Sequence, residues 1–295
     1  MKSNEIHVSS DKKQQDYSPS QRPATRKSLA WAMVREHKFG IFFFSLSYAA
    51  VFLPAAIWAF LTVLMLKSTA EGGVLPAQFG VQFLLVLCPL MALSGPGAAG
   101  LYRVARNWMR DEPRNPWDIF RSAVKDSWKH GLLLTLFTAF LPLTAYFAWV
   151  YFSGYAASPL TTAAIWVFLL INLLWQLMLP CLEVMAVTYN LSFGQMLWNG
   201  LYMTLRHPLK SLKTRLLTAV PALIACLFAF AYPGAAWQIA ALLAAFYVFY
   251  GFGLRQMLFA AHGNALCEAH LNALLPGARV DIGMRSERTV PDNIS

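Results

Sequence analysis

Lysine and arginine alternate along this chain with six long apolar segments, and that alternation restricts the fold more than any other feature of the sequence. The apolar segments run approximately from Gly40 to Leu66, Gly80 to Leu101, Gly131 to Phe152, Leu160 to Val187, Leu216 to Tyr232 and Ala236 to Phe259. Crossing the hydrocarbon of a bilayer takes about 20 helical residues, and most of the segments are that long. Eight basic residues precede the first segment. One follows it (Lys67), seven lie between the second and third, none between the third and fourth, four between the fourth and fifth, none between the fifth and sixth, and four from Arg255 onward. Positive charge resists translocation, so the crowded stretches are assigned to the cytoplasm. The predicted fold class is therefore all-α: a polytopic membrane helix bundle with six transmembrane helices and both termini cytoplasmic.

Composition leads the same way. With 57% hydrophobic and 13% charged residues and a mean hydropathy of +0.46, a soluble domain would carry more apolar surface than its polar groups could cover. The net charge of +10 sits beside apolar segments, where it meets anionic lipids of the inner leaflet. No recognisable binding module accompanies that charge, so nucleic acid is not an expected partner. About 39 mostly polar residues precede the first apolar run, too many for the basic start of a cleavable signal. Cys88, Cys181, Cys226 and Cys267 avoid the predicted outside loops and are read as small apolar side chains without disulfides.

Three parts follow from this layout: a disordered basic cytoplasmic arm over 1–38, a six-helix transmembrane domain over 39–262 and a cytoplasmic tail over 263–295. The first 28 or so residues and the stretch after about Gly277 lack apolar periodicity and are expected to be disordered. The outside loops, about Lys67 to Gln78, Ser153 to Pro159 and Pro233 to Gly234, are too short to fold into a domain.

The cytoplasmic loop from Arg103 to His130 is the densest in signal. Asn115, Pro116 and Asp118 read as a helix start: a capping side chain, a proline in the first turn and an acid near the positive helix end. Trp117, Phe120, Val124 and Trp128 then share one helical face, while Arg121, Lys125 and Lys129 repeat every four residues on another. This spacing predicts an amphipathic helix lying along the inner membrane surface, as a lipid anchor or a partner-docking face. A second one is expected after the fourth span. Phe120 to His130 aligns with Leu197 to His207 at an offset of 77 residues, matching Lys129-His130-Gly131 with Arg206-His207-Pro208. A repeated unit of span, cytoplasmic helix and span would give this echo, as would chance similarity between amphipathic helices.

In the same stretches, Gly95-Pro-Gly-Ala-Ala-Gly-Leu-Tyr-Arg-Val-Ala-Arg-Asn-Trp108, Trp117-Asp-Ile-Phe-Arg121, Trp128-Lys-His130 and Met196-Leu-Trp-Asn-Gly-Leu-Tyr-Met-Thr-Leu-Arg-His-Pro208 resemble the YesL-like family of bacterial integral membrane proteins of unknown function. The similarity covers roughly Pro89 to Leu217 and rests on small residues, aromatics and arginines. It implies a bacterial plasma-membrane location and an accessory role in carbohydrate transport, with a sugar permease as partner.

Chemistry within the spans is sparse. Between His130 and Arg206 the only charged side chain is Glu183, costly at membrane depth unless hydrated, protonated or paired. Arg103, Arg106, Arg206 and Arg255 are its candidate partners, in a structural ion pair or in a substrate or proton site. Ser94, Gly95, Pro96 and Gly97 are candidates for a helix break exposing backbone to a ligand, or for close helix packing.

No enzyme activity, cofactor or metal is expected. Ser94 and His262 lack the leading glycine of rhomboid-type proteases and any sign of an oxyanion hole. His262 and His270 are eight residues apart, about 12 Å on one helix, too far for one ion. Two functional classes remain: an accessory or scaffold protein linked to carbohydrate uptake, and a transporter of a small sugar-like molecule with a site between the transmembrane helices.

Overall fold

The computed structural model describes residues 23–70, 77–110, 114–153, 159–275, 277–282, 284–286 and 288–289. Ten α-helices account for most of them: α1 (Arg26–Glu36), α2 (Lys38–Ala70), α3 (Ala77–Leu93), α4 (Gly95–Trp108), α5 (Pro116–Ser153), α6 (Pro159–Thr188), α7 (Phe193–Arg206), α8 (Pro208–Ala231), α9 (Ala236–Phe246) and α10 (Phe252–His270). Four stretches are long and apolar enough to cross a membrane: Lys38–Thr62, Thr162–Thr188, Pro208–Ala231 and the run Pro233–Leu274. A fifth arises if α3 and α4, bent by 49°, are one broken span. These helices fit an integral membrane protein. The remaining expected segment, Gly131 to Phe152, forms the second part of α5 and is not among the candidates found within the described residues.

Local chemistry explains the element ends. Asn115 caps α5, its Oδ1 accepting from Trp117 N at 3.1 Å, with Pro116 in the first turn, where a missing N–H costs nothing. Ser192 and Gln195 form a capping box on α7. Prolines and glycines then decide the rest. At Pro208 the chain stops α7 and starts α8, because proline cannot continue the hydrogen-bond ladder of the preceding turn. Gly131 occupies the aligned position of the sequence echo and has an N–H, so α5 runs straight through it. The aligned units therefore differ, and the expected separate surface helix over 116–130 is corrected: it is the opening part of one 38-residue helix.

Close backbone approach fixes the α4 and α5 pair. A Cβ on Gly95 would lie 2.5 Å from the Gly131 carbonyl oxygen, and one on Gly131 would lie 2.3 Å from that of Gly95. The break between α3 and α4 falls at Ser94, whose hydroxyl donates to Met91 O at 2.7 Å and meets Tyr48 Oη at 3.2 Å. The helix bends there by 49°, and Gly95 admits the backbone of α5.

The main core gathers Val104, Leu179, Leu182, Met185, Met257 and Phe259 from α4, α6 and α10. Large apolar side chains face outward elsewhere, including Leu212, Leu216, Leu223 and Leu227 of α8, as expected of lipid-facing helices. All four cysteines are free, and Cys226, unlike the others, is exposed.

Two boundaries differ from the sequence reading. The predicted arm carries α1 from Arg26, whose Leu29 and Met33 are buried; residues 1–22 lie outside the described set. The predicted tail carries the last part of α10 and an antiparallel pair, β1 (Arg279–Val280) with β2 (Arg288–Thr289). Val280, Ile282 and Met284 are buried, so this ribbon is held by apolar contact. Arg26 ties the two termini together, bonding Glu268 and, at 3.0 Å, Asp281. Arg285 N also donates to Pro23 O at 3.2 Å.

Candidate functional site

Glu183 sits near the end of α6 with its residue only 2% exposed. Of the four candidate arginines, Arg255 of α10 meets it, Nη2 to Oε1 at 3.5 Å. The other three are engaged elsewhere. Arg103 pairs with Asp126 at 3.0 Å and donates to Val187 O at 3.3 Å. Arg106 donates to Asn107 Oδ1 at 2.9 Å, and Arg206 to Tyr202 Oη at 2.6 Å. Tyr102 of α4 and Gln256 of α10 also lie against the Glu183 carboxyl group, while Arg255 Nε is buried without a hydrogen-bond partner.

A second cation closes the cluster. Arg215 of α8 donates through Nη2 to Gln176 Oε1 on α6, and its guanidinium lies 5.7 Å from the Phe259 ring centre. The Arg255 guanidinium lies 4.8 Å from the same ring, close enough for attraction to the aromatic face. Sequence reasoning counted Arg215 among loop charges. The signal that locates it is a polar stripe, Ser211, Arg215 and Thr218, recurring at helical spacing along α8. Ser211 and Thr218 are buried.

A turn of π-helix, Tyr247–Gly251, precedes α10. Such turns widen the backbone ladder and are frequent at functional sites. Just beyond it, Gly253 N donates to the fully buried Ser45 hydroxyl of α2 at 2.8 Å, which fixes the stretch that bears Arg255.

A histidine cluster lies where α7, α8 and α10 meet. His207 Nε2 and His270 Nε2 are 3.0 Å apart, and His262 Nε2 lies 3.1 Å from Ser211 Oγ. Desolvation, then Lys210 and Arg206, pull the His207 pKa below the ordinary imidazole range. Tyr189, beyond the end of α6, has its phenol pushed upward chiefly by burial and reaches Asn272 Oδ1 at 2.6 Å.

Trp117 and Trp128 are 46% and 45% exposed, and Arg121, Lys125 and Lys129 are exposed beside them. Phe120 departs from this set. It is half-buried, packed under Gly100 and against Phe44 at 5.7 Å, so it belongs to the helix packing. On α7, Trp198, Tyr202 and Leu205 are exposed while Met196, Gly200, Met203 and Thr204 are buried. Between α5, α6 and α7 runs a groove of about 430 Å³ lined by apolar side chains such as Phe137, Trp175, Leu197 and Trp198.

Residues 41–149, from α2 through most of α5, match the model of a family described as "Protein of unknown function, DUF624". No curated protein and no solved structure matches the chain.

Proposed function

We propose that this chain is a non-catalytic accessory or scaffold protein of a carbohydrate uptake system in the bacterial plasma membrane, crossing six times with both termini inside. The observation that carries the reading is the set of exposed aromatic and basic side chains on the start of α5 and on α7. Tryptophan and arginine are common anchors of protein interfaces, and neither helix covers these side chains itself. The carbohydrate link and the permease partner rest on the YesL-like resemblance of the two stretches that build this surface. Six crossings rest on the apolar second part of α5 counting as a span.

The transporter alternative has less support. The groove between α5, α6 and α7 is apolar, and two of the polar side chains within the spans are committed. Asn172 donates to Leu141 O and Phe168 O, and Gln176 accepts from Arg215.

Affinity purification of the full chain from native membranes in mild detergent tests the proposal. Retention of a sugar permease, reduced in the Trp117→Ala/Trp128→Ala variant, is the expected result. A purified protein that binds no other membrane protein and by itself moves sugar into liposomes would overturn it.

A further inference from the structure

We propose that Arg215 and Arg255 form a binding site for a single oxyanion, a phosphate or a carboxylate, where α6, α8 and α10 meet. The first argument is charge. Two guanidiniums share the ring of Phe259, yet the cluster holds one carboxylate, Glu183, and it pairs with Arg255. Among the described residues no carboxylate pairs with Arg215, whose acceptor is the neutral amide of Gln176. One positive charge is left over beside the buried Phe259 ring, where attraction for an anion is stronger than in water.

Geometry supplies the second argument. Arg215 lies seven residues into α8, about 10 Å along its axis. It is turned sideways into the bundle, between Gln176 of α6 and Phe259 of α10, instead of running back along α8 as a snorkelling arginine does. Arg255 still has a buried Nε without an acceptor, and its side chain is 27% exposed, so the site is open on one side. The π-turn at Tyr247–Gly251 and the Gly253 to Ser45 bond hold Arg255 in place. Two planar guanidiniums suit the oxygens of a phosphate or carboxylate. That oxyanion is either the headgroup of a membrane lipid or a soluble anion, and the site is separate from the α5 and α7 surface that carries the accessory reading.

The test is a titration of the purified full chain in dodecyl maltoside micelles, whose headgroup carries no phosphate or carboxylate, with phosphatidylglycerol or with inorganic phosphate, followed by thermal unfolding and native mass spectrometry. Saturable stabilisation by phosphatidylglycerol alone assigns the site to a lipid headgroup, and stabilisation by phosphate assigns it to a soluble anion. In either case Arg215→Gln is expected to weaken binding at least about tenfold, the loss of one charge-assisted contact of about 1.4 kcal/mol or more. Lys213→Gln, an exposed neighbour on α8, stays within about twofold, because a solvated surface charge contributes little. Arg215→Lys, which keeps charge and stem but not the fork, is expected to fall between them and covers the case in which Arg215→Gln does not fold. Neither anion stabilising the wild-type protein, or Lys213→Gln weakening binding as much as the Arg215 variants, overturns the proposal.

Discussion

Glu183 Oε1 and Arg255 Nη2 stand 3.5 Å apart, joining α6 to α10 through a carboxylate that is buried and a guanidinium that is open on one side. Removing one partner of a buried pair costs about 3–5 kcal/mol in general, and the partial exposure of Arg255 lowers the expectation for Glu183→Leu to about 2 kcal/mol. Replacing both residues by leucine should recover at least half of that loss. Thermal unfolding in detergent measures it; equal losses in the single and double variants would show that the two side chains act independently.

The contact between Gly95 and Gly131 makes a prediction of opposite signs at two glycines. A methyl on Gly131 would meet backbone 2.3 Å away, and backbone cannot swing aside, so Gly131→Ala is expected to destabilise by about 1–3 kcal/mol. Gly194, in the first turn of α7, has nothing within 4 Å of its Cβ position. There alanine should stabilise by about 0.5–1 kcal/mol through helix propensity. Unfolding temperatures that move in the same direction for both would contradict the packing.

How much of this was legible in the sequence depends on what held each element. The cap at Asn115 and the helix break at Ser94 were readable because short-range backbone chemistry decides them. The continuity of α5 was not, since only the contrast between Gly131 and Pro208 distinguishes two otherwise similar stretches. The ribbon after α10 was missed, although Val280, Ile282 and Met284 alternate as a half-buried strand does; three apolar residues in a polar stretch were too few to stand out. Glu183 identified itself as a lone acid in a span, whereas the position of Arg215 depends on long-range packing of α8.

One arginine joins α1 to the segment after α10. Arg26 binds Glu268 and Asp281, and Glu268 Oε2 also accepts from Asp281 N at 2.7 Å. Arg26→Ala removes charged hydrogen bonds of about 1.5–3 kcal/mol, reduced to about 1–2 kcal/mol by its partial exposure. Limited proteolysis should then cut near 23–36 and 279–289 faster than in the wild type, while the helix bundle stays intact. Unchanged cleavage would show that apolar contacts of Leu29, Met33 and Ile282 suffice alone.

The His207 and His270 pair gives a pH dependence of defined sign. Their 3.0 Å contact needs one ring nitrogen without a proton, and the environment of His207 lowers its pKa. A depressed folded-state pKa means that the stabilisation is complete above the ordinary imidazole value, about 6.5, and is lost as pH falls through the folded value. Unfolding temperature should therefore drop between about pH 7 and about pH 5 in the wild type and less steeply in His207→Gln. Identical slopes in the two proteins would rule out this pair as the cause.

The most direct test concerns orientation, because the docking surface of α5 and α7 is proposed to face the cytoplasm. With the four native cysteines replaced by alanine, single cysteines are placed at Arg121, exposed on α5, and at Gly234, exposed and with nothing within 4 Å of its Cβ position. A membrane-impermeant thiol reagent added to intact cells is predicted to label Gly234→Cys, and to label Arg121→Cys only after the membrane is opened. Labelling of Arg121→Cys in intact cells would contradict the account.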